Sequence, residues 1–235
     1  MLVKSEVLSI DESGEQVVAK IKKPNDEFVE SYDRVLLAVG VTANIENMGL
    51  ENIGIKIDSN FLETNEFCQV ISNPHIYAIG DVAGGKQLAH KASREGMIAA
   101  EHAAGNSPLP LNQNYVPACT YTSPQVASVG LKKAELEEKN ISYNVGTFPL
   151  SASGRALAAA ENRGFVRVYI EKNTGELLGA HMVGHEVTEL ISNFALAQAG
   201  ELTIKEFLQS VFPHPTMAES LHEAIAQSIG ESTNI

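Results

Sequence analysis

The sequence predicts a mixed α/β chain, on three observations. Residues 1–40 read in the strand period, alternating apolar and polar side chains and broken twice by polar turns, as antiparallel strands are. The run Val35-Leu36-Leu37-Ala38-Val39-Gly40 is continuously apolar and closed by glycine, the pattern of a strand buried on both faces of a sheet. Beyond residue 115, short apolar strands give way to three helical segments, so strands and helices are segregated as in an α+β domain.

Taken in order, Val7-Leu8-Ser9-Ile10, Val17 to Ile21 and Phe28-Val29-Glu30 form a meander, with turns at Asp11–Gly14 and Pro24–Asp26. A polar loop follows, then a short strand at Ile76–Ile79, the turn Gly80-Asp81 and a small-residue helix from Leu88 to Ala104. Gly105-Asn106-Ser107-Pro108-Leu109-Pro110 is dense in helix breakers and marks a boundary. Strands within 115–130 and at 143–149 flank a charged helix at Lys132–Lys139. Val166–Ile170 and Leu177–Val183 enclose Asn173-Thr174-Gly175, a hairpin. Helices are expected at 186–199, 204–211 and 217–229. The last two open on Thr203 with Glu206 and Thr216 with Glu219, both the T-x-x-E capping box.

The composition narrows the function. With 235 residues the chain holds one or two domains. Lys+Arg 17 against Asp+Glu 29 gives a net charge of −12, with no basic stretch to track phosphates, which argues against nucleic-acid and anionic-membrane partners. No apolar run approaches the roughly 18 residues of a bilayer span, and Met1–Ser5 has no signal-peptide core. The expected location is the cytoplasm, or the mitochondrial matrix for a eukaryotic source. Cys68 and Cys119 are isolated, which excludes a disulfide scaffold, a multi-cysteine zinc site and a CxxC motif; both are expected as buried free thiols. P-loop, G-x-S-x-G, HExxH and GxGxxG patterns are absent, and the remaining histidines fall at no metal-ligand spacing.

Three segments could carry chemistry. In Ile76-Tyr77-Ala78-Ile79-Gly80-Asp81 an apolar strand ends in Gly-Asp, where a carboxylate can accept hydrogen bonds from ribose-like or ribityl hydroxyls. The same residues fit an ordinary strand-ending turn. Leu88-Ala89-His90-Lys91-Ala92 opens a helix whose positive end favours negative charge, although a plain small-residue helix looks the same. The sharpest is Phe212-Pro213-His214-Pro215-Thr216-Met217-Ala218-Glu219. Prolines stiffen the backbone on both sides of His214, its His-Pro bond is a candidate cis peptide, and Glu219 can orient the imidazole for general acid/base work. Glu219 fits equally well as the capping-box partner of Thr216 alone.

The order of these segments is more specific than any one of them. Tyr32–Gly40, Tyr77–Asp81, Leu88–Ala92 and His214-Pro215-Thr216 with Glu219 together resemble the pyridine nucleotide-disulfide oxidoreductases. Phe148-Pro149 with Ser153-Gly154-Arg155-Ala156, and Leu178–Gly184 leading to Thr188-Glu189-Leu190-Ile191, are similar to the members that oxidise dihydrolipoamide. The resemblance implies a partial FAD/NAD-linked reductase fold, the C-terminal half of such an enzyme. Residues 1–40 would end the NAD-binding domain, 41–105 would be the returning part of the FAD-binding domain, and 106–235 the dimerisation domain. The glycine-rich dinucleotide turns and the redox C-x4-C pair of the family are not in the sequence.

The resemblance also implies roles. Gly80 and Asp81 would meet the ribityl chain of FAD, Gln87, Leu88, Ala89 and His90 would line the flavin, and Gly40 would lie near NAD. His214 would be the acid/base for dihydrolipoamide, with Glu219 orienting it, and the histidine would serve the active site of a second subunit. The partners implied are a homodimer mate and the lipoyl domains of 2-oxo acid dehydrogenase complexes. The other readings are a glutathione- or mercuric-reductase-like member of the family, or an inactive dimerisation fragment. The chain alone is expected to hold neither FAD nor NAD.

Overall fold

The computed structural model describes residues 1–55 and 60–234, which form two compact units, 1–42 and 43–235. The first is the expected meander. β1 (Glu6–Asp11), β2 (Val17–Lys23) and β3 (Asp26–Tyr32) pair antiparallel in the order β1-β2-β3, with a bulge between Val7 and Ser9. Lys20 of β2 pairs with Glu27 of β3 at 2.9 Å, and Lys23 caps the Phe28 ring.

The strand expected at Val35–Gly40 does not form. The segment is irregular, and Leu36 is 90% exposed. A strand buried on both faces needs a hydrogen-bonded neighbour and a covering layer, and among the described residues no strand pairs with it. The apolar run carries the composition of such a strand without the partners that would make it one.

In the second unit, β4 (Gln69–Val70) and β5 (Asn73–Tyr77) form a short ladder whose apolar neighbours, Ile45, Leu50, Ile55, Leu62 and Ala78, make a small core. The strand ends two residues earlier than expected. A 3-10 turn at Gly80–Ala83 leads to α1 (Ala89–Ala103), whose Ile98 and Ala99 pack with Cys68.

The rest is a five-stranded antiparallel sheet in the order β6-β7-β10-β9-β8. Its strands are β6 (Ala118–Thr120), β7 (Gln125–Gly130), β8 (Tyr143–Pro149), β9 (Phe165–Glu171) and β10 (Leu177–Gly184). The hairpin between β9 and β10 turns where the Glu171 carboxylate accepts the N–H groups of Asn173 and Thr174, while Gly175 takes a φ of +75°. Alternation sends Val166, Val168 and Ile170 of β9 to one face and Tyr169 to the other. Tyr169 meets Leu136 of α2 (Lys133–Glu138).

On the first face, α4 (Val187–Ala199) covers β7 and β10, and α6 (Glu219–Gln227) covers β8 and β9, with α5 (Ile204–Gln209) against α6. A short α3 (Gly154–Ala158), capped by the Ser153 hydroxyl, follows β8. The main core joins Phe148, Val166, Val168, Met182, Phe194 and Leu221. Cys68 is buried as expected, whereas Cys119 is only half-buried, and both are free thiols.

Helix α6 seats on β8 without a side chain between the backbones. A Cβ built on Gly146 would lie 1.8 Å from the carbonyl oxygen of Ala224, so only glycine permits this approach. One turn on, Gln227 accepts the Thr147 N–H at 2.9 Å. Gly146→Ala is expected to push α6 off the sheet and to lower unfolding free energy by about 2–3 kcal/mol in denaturant titrations followed by circular dichroism. A variant as stable as the parent chain would contradict this seating.

Candidate functional site

The Thr203 capping box forms as expected, with Glu206 accepting both the N–H and the hydroxyl of Thr203. The box at Thr216 forms only by half. Glu219 Oε2 accepts the Thr216 N–H at 2.8 Å, but the Thr216 hydroxyl turns back to the Pro213 carbonyl at 2.7 Å, and α6 begins at Glu219 itself. That leaves the other oxygen of Glu219 for a second partner.

The partner is His214. Its Nδ1 lies 2.8 Å from Glu219 Oε1, across a His214–Pro215 peptide that is cis. Burial works to raise the Glu219 carboxyl, but the Thr216 N–H and His214 outweigh it and hold it below the usual carboxylate range. Glu219 is thus ionised and can only accept, so the neutral imidazole carries its proton on Nδ1. Nε2 is left as the basic nitrogen, on a side chain 79% exposed.

A cleft of about 140 Å³ adjoins the pair, lined in part by Phe148, Ser153, Ser220, Glu223 and Asn234. Glu223 is buried, and among the described residues its carboxylate receives donors only from the C-terminal segment. Burial raises this carboxyl too, and the bonds from Ser232, Asn234 and Thr233 bring it below the ordinary range.

The second cluster lies around the start of α1. Leu88, the residue before α1, offers no side-chain acceptor, so the N–H groups of Ala89, His90 and Lys91 have no partner among the described residues. Asp81 is exposed, and its carboxylate makes no hydrogen bond or ion pair among the described residues. Gln87 and Ala89 are also exposed. Gly80 takes a φ of +72°, and a Cβ there would sit 3.1 Å from that of Ala92. Small residues on α1 therefore let the loop approach closely, as the sequence pattern suggests.

Lys91 and Glu95, which the sequence reading passed over, hold the two elements together. They are 2% and 6% exposed and pair at 2.8 Å. Glu95 accepts the Gly80 N–H at 2.8 Å, and Lys91 donates to the Gly84 carbonyl at 2.9 Å and to that of Gly80 at 3.4 Å. This network aims Asp81 and the free amides of α1 into one neighbourhood. Lys and Glu four residues apart usually mean an exposed helix pair; the signal missed is that they stand among Ala92, Gly96 and Ile98, on the side that packs.

His90 donates from Nε2 to the Pro117 carbonyl at 2.8 Å, so its side chain is committed. Lys86 reaches the Val116 carbonyl at 2.7 Å, and together they tie the start of α1 to the segment entering β6. His102 bonds Tyr77, and His181 bonds the Leu131 carbonyl, so both are satisfied structural histidines. Gly40 lies in the first unit, exposed, with a φ of +99°. No hydrogen bond or ion pair joins the His214 pair to the Gly80–Gly84 loop among the described residues.

Two outcomes are expected. Lys91→Met leaves Glu95 charged and buried, which costs about 3–5 kcal/mol, and adding Glu95→Leu should recover most of it; thermal melts of the three variants decide. The second concerns acid. Glu219 and Glu223 titrate lower in the folded chain than in the unfolded one, so they stabilise it fully above pH 4.5, the ordinary glutamate value, and lose that contribution as pH falls through their folded values. Glu223→Gln should cost roughly 2 kcal/mol at pH 7 and flatten the acid limb of stability against pH. An unchanged acid limb would remove Glu223 from that role.

Comparison with known proteins gives the chain's family. The description "Pyridine nucleotide-disulphide oxidoreductase, dimerisation domain" matches residues 116–225, and "Pyridine nucleotide-disulphide oxidoreductase" matches residues 1–96. A dihydrolipoyl dehydrogenase of Zymomonas mobilis is 41% identical over 234 residues, 99% of this chain and 50% of the relative. One from Rhizobium etli is 42% identical over 232 residues, 98% of this chain and 48% of its own. The crystal structure of LpdA from Mycobacterium tuberculosis superposes with a TM-score of 0.86 at 27% identity, covering 94% of this chain and 48% of that one. The chain spans about half the length of the curated relatives it matches. From one end to nearly the other, this chain belongs to the pyridine nucleotide-disulphide oxidoreductase family.

Proposed function

We propose that the chain is the C-terminal half of a dihydrolipoyl dehydrogenase, with His214 as the acid/base and Glu219 as the group that orients it. The observation that carries this is the 2.8 Å bond between Glu219 and His214 Nδ1, which turns an exposed Nε2 into a base fixed in direction. In this reading Nε2 takes the proton of a dihydrolipoamide thiol as its sulfur attacks the enzyme disulfide. The imidazolium so formed is stabilised by Glu219 and can return the proton later. The disulfide belongs to the other half of the protein, since Cys68 and Cys119 are single and far apart in sequence.

The loop and helix start fit one side of FAD. Asp81 has carboxylate oxygens without a partner among the described residues, open to ribityl hydroxyls, and the α1 amides of Ala89 and His90, likewise without a partner there and reached past Gln87 and Leu88, suit an electron-rich flavin edge. When bound, FAD carries electrons from the reduced disulfide to NAD. Gly80 keeps the backbone close to the ligand, and Gly40 is the residue of this chain assigned to the NAD side. Residues 1–40, 41–105 and 106–235 are read as the end of the NAD domain, the returning part of the FAD domain and the dimerisation domain.

A homodimer is proposed on the second unit, because Leu196 and Val211 are exposed and line a cleft of about 250 Å³ with Leu202 and Phe207. Lipoyl domains of 2-oxo acid dehydrogenase complexes are the proposed substrates' carriers. An inactive dimerisation fragment is the reading that fits the 235 residues by themselves, because the redox cysteine pair is not among them.

In the full-length enzyme, His214→Gln should slow reduction of the disulfide by dihydrolipoamide about 10²–10⁴-fold in stopped-flow absorbance, and Glu219→Gln should slow it less. Near-normal rates for His214→Gln would sink the assignment. For the chain as given, gel filtration with light scattering should read twice the 25.2 kDa chain mass, with no flavin band near 450 nm. A monomer would end the dimer proposal, and stoichiometric flavin would mean that this half alone makes a cofactor site.

A further inference from the structure

Glu219 stands on the first residue of α6, and the position before it, Ala218, supplies no side-chain cap. The turn ahead of it is closed by backbone bonds, Ser220 N–H to the Met217 carbonyl and Leu221 N–H to the Ala218 carbonyl at 3.1 and 3.0 Å, and a shift of that turn would carry Glu219 away from His214. One turn on, on the same side of the helix, is Glu223. It is buried and lines the same clefts as Glu219, on one side with His214 and Asn234, on the other with Phe212 and His222.

Among the described residues five hydrogen bonds reach the Glu223 carboxylate, all from Ser232, Thr233 and Asn234. Oε2 accepts from the Ser232 hydroxyl at 2.6 Å and from the N–H groups of Thr233 and Asn234 at 3.1 and 3.3 Å. Oε1 accepts from the Thr233 hydroxyl at 3.0 Å and the Asn234 amide at 2.8 Å. No lysine or arginine lines either cleft among the described residues, so neutral donors alone solvate this charge. The titratable groups facing the pair are then His214, Glu219 and Glu223, with His222 beyond Glu219.

We propose that Ser232, Thr233 and Asn234 act through Glu223 as a positioning clamp, holding the first turns of α6 so that Glu219 keeps the His214 proton on Nδ1. The clamp does two things at once. It ties the second turn of α6 to a segment that follows the helix, so the helix start cannot unwind freely. It also spreads the Glu223 charge over five donors, which weakens its repulsion of Glu219 one turn away. The carboxyl of Glu223 lying below the ordinary range agrees with a charge well solvated by its donors. The segment from Ser232 to Asn234 thereby becomes a remote part of the acid/base site, although no hydrogen bond or ion pair joins it to His214 or Glu219 among the described residues. This inference rests on the His214–Glu219 reading and deepens it.

The test reads the imidazole directly, in the chain as it stands. Long-range nitrogen–proton NMR on ¹⁵N-histidine-labelled protein, at a pH where His214 is neutral, separates the two tautomers by their nitrogen shifts. The parent chain should show a protonated Nδ1. The triple variant Ser232→Ala/Thr233→Val/Asn234→Ala should move both nitrogens toward the averaged pattern of a free imidazole. Thr233→Ser, which keeps the hydroxyl, should stay with the parent, and Asn234→Ala, which of its bonds to Glu223 removes only the side-chain one to Oε1, should fall between. Glu219→Gln is the control that reports loss of the orienting carboxylate itself.

A folded triple variant that retains the parent's Nδ1 proton overturns the clamp and leaves the His214–Glu219 reading intact. An averaged tautomer already in the parent chain overturns both. If the triple variant unfolds, Asn234→Ala decides alone: a parent-like tautomer there overturns the clamp, and a shifted one supports it.

Discussion

The seating of α6 on β8 is the contact on which the His214–Glu219 pair depends. Gly146 removes the side chain that would hold the two backbones apart, and Ala224 is the residue that comes down on it. Leu221 and Ile225 then enter the main core, and Gln227 fastens the helix to Thr147. With α6 fixed in this way, Glu219 emerges at its first residue, pointing back to the stiff Pro213-His214-Pro215 segment, and Glu223 is drawn below the surface. An imidazole bonded to a carboxylate on a buried helix needs little rigidity of its own, so His214 can stay exposed and still be held in direction.

The Gly80–Asp81 loop is organised in the opposite manner, by charge instead of apolar packing. Lys91 and Glu95 are taken out of water and satisfied almost wholly by each other and by the loop backbone. Such a pair is weak evidence for stability, because desolvation offsets most of its attraction. Its value here is geometric. A hydrophobic replacement could fill the same space, but it could not specify which carbonyls and which N–H of the loop face α1. The consequence is an exposed carboxylate and a helix start with free amides in one place, which is the arrangement an anionic, hydroxyl-bearing cofactor requires.

The first unit illustrates how strongly secondary structure depends on partners. Its meander forms because each strand finds its neighbour within a few residues, and the turns between them are short and polar. The run at Val35–Gly40 has better strand composition than any of the three, yet it remains irregular. Its hydrogen-bonding neighbours are not supplied by local sequence, and among the described residues no strand pairs with it.

The sequence by itself determined the elements that rest on local signals. Periodicity placed the meander, the β9–β10 hairpin and the three last helices, and the order of four short motifs carried the family resemblance. The pairing of His214 with Glu219 was also legible, because five residues of a proline-stiffened turn leave few places for the carboxylate to go. What only the tertiary structure decided are the cases where one sequence pattern serves two environments. Lys91 and Glu95 read as a surface pair and are buried; Val35–Gly40 reads as a buried strand and is exposed; Thr216 reads as a full capping box and makes half of one. The link from Asn234 to Glu223 joins residues eleven apart, through a helix end whose course depends on packing far upstream. In each case the chemistry of the residues is fixed locally, while burial and partner are set by surfaces that meet only once the chain has folded.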